Sequence, residues 1–266
     1  MPGLAMVTGA SSGIGEAYAE RLAADGWNLL VVARRLERLS ELETRLRDAH
    51  GVAVRAIQAD LSQADDLQRV CDEIDAVPVE MLVNNAGLAH YMPFAELPPA
   101  RARELVDLNV LAPVLLTRAA VAGMLARAAG SIINVASLLA FSGMAHAPFL
   151  PQRAVYAASK SFLVTFSEVL AGEVNAHGVR IQVLCPGVVR SEFHSRQGMD
   201  MSAVQRMEPE QVVEASLADL AAGVVVSVPG LADTDALTRL DTASHELVSV
   251  ARTAELPARY SRDHVS

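Results

Sequence analysis

Cysteine is almost missing from this chain: only Cys71 and Cys185 occur in 266 residues, in unrelated contexts. Two such thiols make neither a disulfide framework nor a metal-ligand spacing, and both are expected to be buried and free. Basic charge is also in deficit. Lys and Arg number 22 against 31 Asp and Glu, a formal net charge of −9. That excludes a general nucleic-acid binder, because a phosphate footprint needs clustered cations. The histidines (His50, His90, His146, His177, His194, His245 and His264) never adopt a ligand spacing such as HxxxH, so no metal is implied.

Long uninterrupted apolar runs are lacking too. The most apolar one, Val110 to Ala126, is broken by Pro113 and Arg118 and reads as a buried helix rather than a membrane span. The chain reaches a glycine-rich run at Gly9 without the charged-then-apolar pattern of an export signal. No membrane partner and a cytoplasmic location are the expectation. With 52% hydrophobic residues, 20% charged and no linker, repeat or low-complexity segment, residues 1–266 are expected to form a single domain.

What is present is an alternation of short apolar runs and helical patterns. Strands are expected at 4–7, 28–33, 52–59, 81–83, 132–135, 181–184 and 224–228. A helix is expected from about Ile14 to near Gly26, and another on the face marked by Leu36, Leu39, Leu42 and Leu46, ended by Gly51. Strands that are continuously apolar, with helices between them, imply an α/β fold: a doubly wound, Rossmann-like parallel sheet covered by helices on both faces. After Pro229-Gly230, residues 231–266 carry Leu237, Leu240, Leu247 and Val250 with charges between. They read as an added amphipathic helix, packed on the domain or shared with another subunit.

The first strand–helix junction reads Thr8-Gly9-Ala10-Ser11-Ser12-Gly13-Ile14-Gly15. Glycines there let a pyrophosphate approach the backbone, and the helix N-terminus supplies free N–H groups and a positive dipole end. The second strand ends in Ala33-Arg34-Arg35, with no acid before Glu37. Guanidinium suits a 2′-phosphate better than a ribose hydroxyl, so Arg34, with Arg35 behind it, points to NADP(H). Further along, Tyr156 and Lys160 in VYAASK share one helix face at i and i+4. An ammonium beside a phenol favours the phenolate, which suits proton transfer near neutral pH, although the spacing alone equally fits an incidental surface pair.

Five ordered motifs resemble the short-chain dehydrogenases/reductases over roughly residues 4 to 230. They are TGxxxGxG at 8–15, Asn84-Asn85-Ala86-Gly87, Asn109, Ser137 with Tyr156 and Lys160, and Pro186-Gly187. The resemblance implies that Tyr156 exchanges a proton with a carbonyl or alcohol oxygen while the nicotinamide exchanges a hydride with the carbon. It further implies that Lys160 lowers the Tyr156 pKa and bonds the nicotinamide ribose, that Ser137 steadies the substrate oxygen, and that Asn109 holds a water linking Lys160 to solvent. Cofactor contacts are implied for Gly9, Ser11, Ser12, Gly13, Ile14, Gly15, Arg34, Arg35, Asp60, Leu61, Asn85, Ala86, Gly87, Tyr156, Lys160, Pro186, Gly187, Val189 and Ser191. Asp60 equally suits a helix cap, and Ser191 stands where the family often has threonine.

Residues 190–208 correspond to the family's substrate lid, and a homodimer or homotetramer is implied. Between Ser137 and Tyr156 lie 18 residues, more than is usual in the family, including Phe141, Met144, His146, Pro148, Phe149 and Pro151. They are expected to wall the pocket for a small-molecule carbonyl or alcohol substrate. His90-Tyr91-Met92 either approaches that pocket or forms a simple loop. A non-catalytic redox sensor, or an isomerase or dehydratase on the same scaffold, remains an alternative to the oxidoreductase.

Overall fold

The computed structural model describes residues 3–143, 145 and 150–251. Seven parallel strands form one sheet in the order β3-β2-β1-β4-β5-β6-β7. They are β1 (Leu4–Thr8), β2 (Asn28–Ala33), β3 (Val54–Gln58), β4 (Met81–Asn84), β5 (Gly130–Val135), β6 (Val179–Leu184) and β7 (Val226–Ser227). Side chains alternate across a strand, so neighbouring apolar residues serve opposite layers. Ala5 and Val7 pack with Leu39, Leu42 and Leu46 of α2 (Leu36–His50), with α1 (Gly13–Ala24), and with Val212 and Leu220 of α8 (Pro209–Ala221). Met6 packs the other way, with α3 (Ala64–Ala76), α5 (Ala112–Arg127) and α6 (Ala154–Val174). Both faces are thus covered, which explains why β1, β2 and β4 read as continuous apolar runs.

Strand β7 is shorter than its apolar run suggests. Val224 still donates to Asp219 at the end of α8, so only Val226 and Ser227 are free to pair with Val183 and Leu184 of β6. The run at 110–126 lies in one long helical stretch, Pro99–Arg127, which by length and composition alone is able to cross a membrane. In this fold its inner face (Leu105, Leu108, Leu116, Ala120, Met124) is buried, and Leu111, Leu115 and Leu125 are exposed. The stretch comprises α4 (Pro99–Val106), a π turn (Asp107–Leu111) and α5.

Strand order reverses between β1 and β4, the place where the chain leaves the sheet in opposite directions and opens a crevice at the strands' carboxyl ends. The loops after β1, β4, β5 and β6 all open there. A buried polar chain braces the sheet beneath them: the Asn84 amide donates to Thr117 (3.0 Å) and Asn134 (2.8 Å), and Asn134 donates to Ser167 (2.9 Å). Among the described residues, those up to 229 form one compact unit and those from 230 to 251 a second. In the second, α9 (Asp235–Val250) exposes Leu240, Leu247, Val248 and Val250; residues 252–266 lie outside the described part.

Candidate active site

The glycine loop and the turn after β4 are built as one piece. Asn85 and Ala86 each donate a backbone N–H to the Thr8 hydroxyl at 3.0 Å, and the Asn85 amide returns a bond to Thr8 O at 2.9 Å. This tight fit explains two glycines. Gly9 has φ +67°, a region that side chains disfavour, and a Cβ there would meet Asn85 Nδ2 at 2.7 Å. Gly15 lies beneath the loop, where a Cβ would fall 2.4 Å from the Gly9 carbonyl oxygen. It supports the loop from behind and does not line the crevice itself.

A single cavity of about 910 Å³ runs from Ser11, Ser12 and Gly13 past Asn85–Gly87 to Ser137, Tyr156 and Lys160. Ile14, Asp60, Leu61, Pro186, Gly187, Val189 and Ser191 also line it. A Cβ added at Gly187 would meet nothing within 4 Å, so the backbone is bare toward the cavity. The two arginines divide. Arg35 donates to Ser11 Oγ at 2.9 Å and Ser12 Oγ at 3.0 Å, whereas Arg34 is exposed and lies 3.9 Å from Asp60. Asp60 shapes its own turn by accepting from the Ser62 N–H and hydroxyl, and the N-cap of α3 is Gln63.

At the other end, Ser137 follows β5, caps the short helix Leu138–Phe141 by accepting from Leu139 N–H (3.2 Å), and its hydroxyl acts to lower the Tyr156 pKa. Tyr156 and Lys160 share the inner face of α6, and both are about 5% exposed. The expected depression of the Tyr156 pKa is not what the geometry produces. Burial pushes the phenol up to about 12, opposed by hydrogen bonds from Ser137 and Tyr91. Lys160 donates to Val135 O at 2.8 Å, 5.9 Å from the tyrosine ring centroid, and burial presses it down to about 8. For Tyr156, desolvation outweighs the two hydroxyls that oppose it.

Asn109 lies in the π turn, where Ala112 N–H reaches back five residues to Asp107. Its amide accepts from Leu88 N–H (3.0 Å) and donates to Leu88 O (2.9 Å) and Ser159 Oγ (3.1 Å). These bonds fasten the turn after β4 to α6, so the side chain clamps the two together. It still flanks Gly87, whose added Cβ would lie 3.1 Å from Asn109 Oδ1 and 3.3 Å from Lys160 Nζ.

The remaining lining includes apolar Leu138, Leu150, Pro151, Phe193, Met199 and Val204, with His194 and Arg196 beside them. Arg153 holds the base of the 138–155 loop, donating to Ser142 O, Ala145 O and Pro151 O. Met144, His146, Pro148 and Phe149 lie outside the described residues, and Phe141 packs into a core cluster beside α6. Segment 190–208 is closed at its base by Arg190 N–H on Met207 O (2.9 Å). Its short helix α7 (Glu192–Ser195) is capped by Ser191, which accepts from Phe193 N–H. Glu192 meets Arg35 at 3.0 Å and Arg38 at 2.6 Å, and also Arg196. Hydrogen bonding, chiefly from Arg38, holds its carboxyl down at about 2.

Sequence pattern does not single out Arg38, Arg153 or Glu192, since each is an ordinary surface-type charge until the fold brings its partners. A usable signal for Lys160 does exist: it is the only lysine in the chain. Cys71 and Cys185 are free and buried. Among the described residues no group of His, Cys, Asp or Glu is placed to hold a metal.

Fold and site together define a dinucleotide-binding oxidoreductase scaffold. The family model of the short chain dehydrogenases matches residues 3–202, and the chain belongs to that family. It is similar to a short-chain dehydrogenase from Sphingobium yanoikuyae solved in complex with NADPH: TM-score 0.92, 34% identity, 98% of this chain and 100% of that one. A bulky-bulky ketone specific alcohol dehydrogenase from Comamonas testosteroni gives TM-score 0.88 at 32% identity, over 98% and 99% of the two chains. Very-long-chain 3-oxoacyl-CoA reductase of Pyrenophora tritici-repentis is 32% identical over 222 residues, 81% of this chain but only 62% of that longer protein.

Proposed function

We propose that this chain is an NADP(H)-dependent oxidoreductase that interconverts a bulky apolar ketone and its secondary alcohol. The observation that carries the reading is the single cavity joining the glycine loop to Tyr156. A bound nicotinamide dinucleotide supplies or accepts the hydride. The chain's own residues do the rest. Backbone N–H groups of 11–14 at the start of α1 receive the pyrophosphate, and Arg35 with Ser11 and Ser12 receives a 2′-phosphate. Ser137 holds the substrate oxygen against Tyr156, which gives up or takes the proton. Lys160, beside Gly87, orients the ribose and returns the proton.

Support for a bulky substrate comes from the apolar walls and from the likeness to an enzyme named for bulky ketones. The likeness to a dehydrogenase solved with NADPH supports the phosphorylated cofactor. The protein works in the cytoplasm as a homodimer or homotetramer. Phe162 and Val169 on α6 and Leu111 and Leu115 beside it offer the exposed apolar surface for self-association. Consumption of NADPH and of NADH with ketones graded in size tests the reading. Turnover with NADPH and a ketone bulky on both sides is expected. No redox turnover, or turnover confined to NADH, overturns it, and a redox-neutral product would signal an isomerase or dehydratase.

A further inference from the structure

Three hydroxyls converge on one point of the cavity, and only two belong to the motifs that identify the family. The third is Tyr91, in the loop after β4, four residues beyond Gly87. Its ring stands edge-on to that of Tyr156, with centroids 5.4 Å apart and planes at 77°. It packs in one cluster with Tyr156, Ala89 and Leu105, while Phe193 of α7 touches the catalytic ring at 6.1 Å. Tyr91, Ser137 and Tyr156 line the same cavity, and the hydroxyls of Tyr91 and Ser137 both favour charge on the Tyr156 oxygen.

We propose that Tyr91 is a further catalytic residue, whose hydroxyl stabilises the charge that the Tyr156 oxygen acquires when its proton leaves. The inference rests on the reading of Tyr156 as the acid–base group. In carbonyl reduction the Tyr156 O–H bond breaks and a new O–H bond forms on the substrate oxygen. The electron pair stays on Tyr156, in a site where burial opposes charge. Lys160 Nζ donates to Val135 O and lies 5.9 Å from the Tyr156 ring centroid, whereas the Ser137 and Tyr91 hydroxyls are the groups that act on the Tyr156 oxygen. Tyr91 keeps its own proton throughout, because burial and then the neighbouring Tyr156 push its pKa well above that of an ordinary phenol. The bond strengthens as charge develops, so it favours the transition state over the ground state.

The other ionisable groups around the pair are Lys160 on α6 and Cys185 after β6, which interacts with Glu168. His90 in the same loop lies 3.4 Å from Glu104 of α4, and His194 is on α7. All of them remain in a Tyr91→Phe protein, so a displacement between its pH profile and that of the wild type belongs to the lost hydroxyl.

The test compares wild type, Tyr91→Phe and Tyr91→Ala in both directions, with whichever ketone and alcohol of the graded panel the wild type turns over. Phenylalanine keeps the ring's packing and removes only the hydrogen bond. A bond to a charged group is worth about tenfold or more, so kcat for reduction should fall about tenfold with KM nearly unchanged. In alcohol oxidation Tyr156 must be ionised, and losing a donor raises its pKa. The rising limb of kcat against pH should therefore move up by about one unit. A Tyr91→Phe enzyme with kcat within twofold of wild type and an unmoved limb overturns the proposal. If only Tyr91→Ala is impaired, the ring's packing is what matters and the proposal also fails. A wild type with no redox turnover defeats the underlying reading instead, a separate and recognisable result.

Discussion

Arg35 and Glu192, 157 residues apart in sequence, meet at 3.0 Å at the mouth of the cavity. The same guanidinium holds Ser11 and Ser12, so one side chain joins the glycine loop to α7. A 2′-phosphate reaching Arg35 shares it with the Glu192 carboxylate.

Cofactor choice should therefore follow Arg35 more than Arg34. Arg35→Ala should raise the NADPH dissociation constant about ten- to a hundredfold, with NADH binding nearly unchanged. Glu192→Gln removes the competing charge and should tighten NADPH a few-fold, a modest effect because both partners are partly solvated. Fluorescence titration of both cofactors reads this. A dominant effect of Arg34→Ala would reverse the assignment.

Tyr156→Phe leaves the ring among Tyr91, Phe193 and Leu105 and deletes the proton donor. Turnover should drop by roughly 10²–10⁴-fold, the usual worth of general acid–base catalysis, with NADPH affinity preserved. Wild-type turnover in this variant would remove Tyr156 from the mechanism.

Lys160 as the sole lysine permits a direct measurement. In protein labelled with ¹³C-lysine, one side-chain resonance should titrate near pH 8 and not near the ordinary 10.5. Because the folded value is depressed, the buried ammonium destabilises the fold fully below pH 8, and the penalty fades as pH rises from 8 to 10.5. Lys160→Met removes a penalty on the order of 3 kcal/mol, less about 1 kcal/mol for the lost bond to Val135 O. The variant should unfold at higher denaturant than wild type at pH 7, and its advantage should shrink above pH 8. A titration midpoint near 10.5 contradicts both expectations.

Arg153 holds three carbonyls of the loop before α6, and Leu150 and Pro151 of that loop line the cavity. Arg153→Ala should raise KM for bulky ketones several-fold more than for small ones, and leave NADPH binding unchanged. A proportional loss on all substrates would instead indicate displaced Ser137 and Tyr156.

Much of this protein is legible locally. Strand β2 spans Asn28–Ala33 as its apolar run indicates, and α2 ends at Gly51 with φ +68°, because these features depend on neighbours within a few residues. The glycine loop, the Asn84–Gly87 turn and the Tyr156/Lys160 pair are recognisable for the same reason: their spacing is itself the constraint. The tertiary structure decided what depends on distant partners. Adjacent arginines leave the chain in different directions, so only the fold could choose Arg35 over Arg34 for the glycine loop. Burial on α6 set the Tyr156 and Lys160 acidities against the expectation drawn from their i, i+4 spacing, since desolvation comes from the whole sheet and not from the helix. Val224 remained with α8 and shortened β7, and Glu192 and Tyr91 found Arg35 and Tyr156 only across the crevice. Charge and hydroxyl chemistry are written in the residues, but which groups face one another is determined by packing.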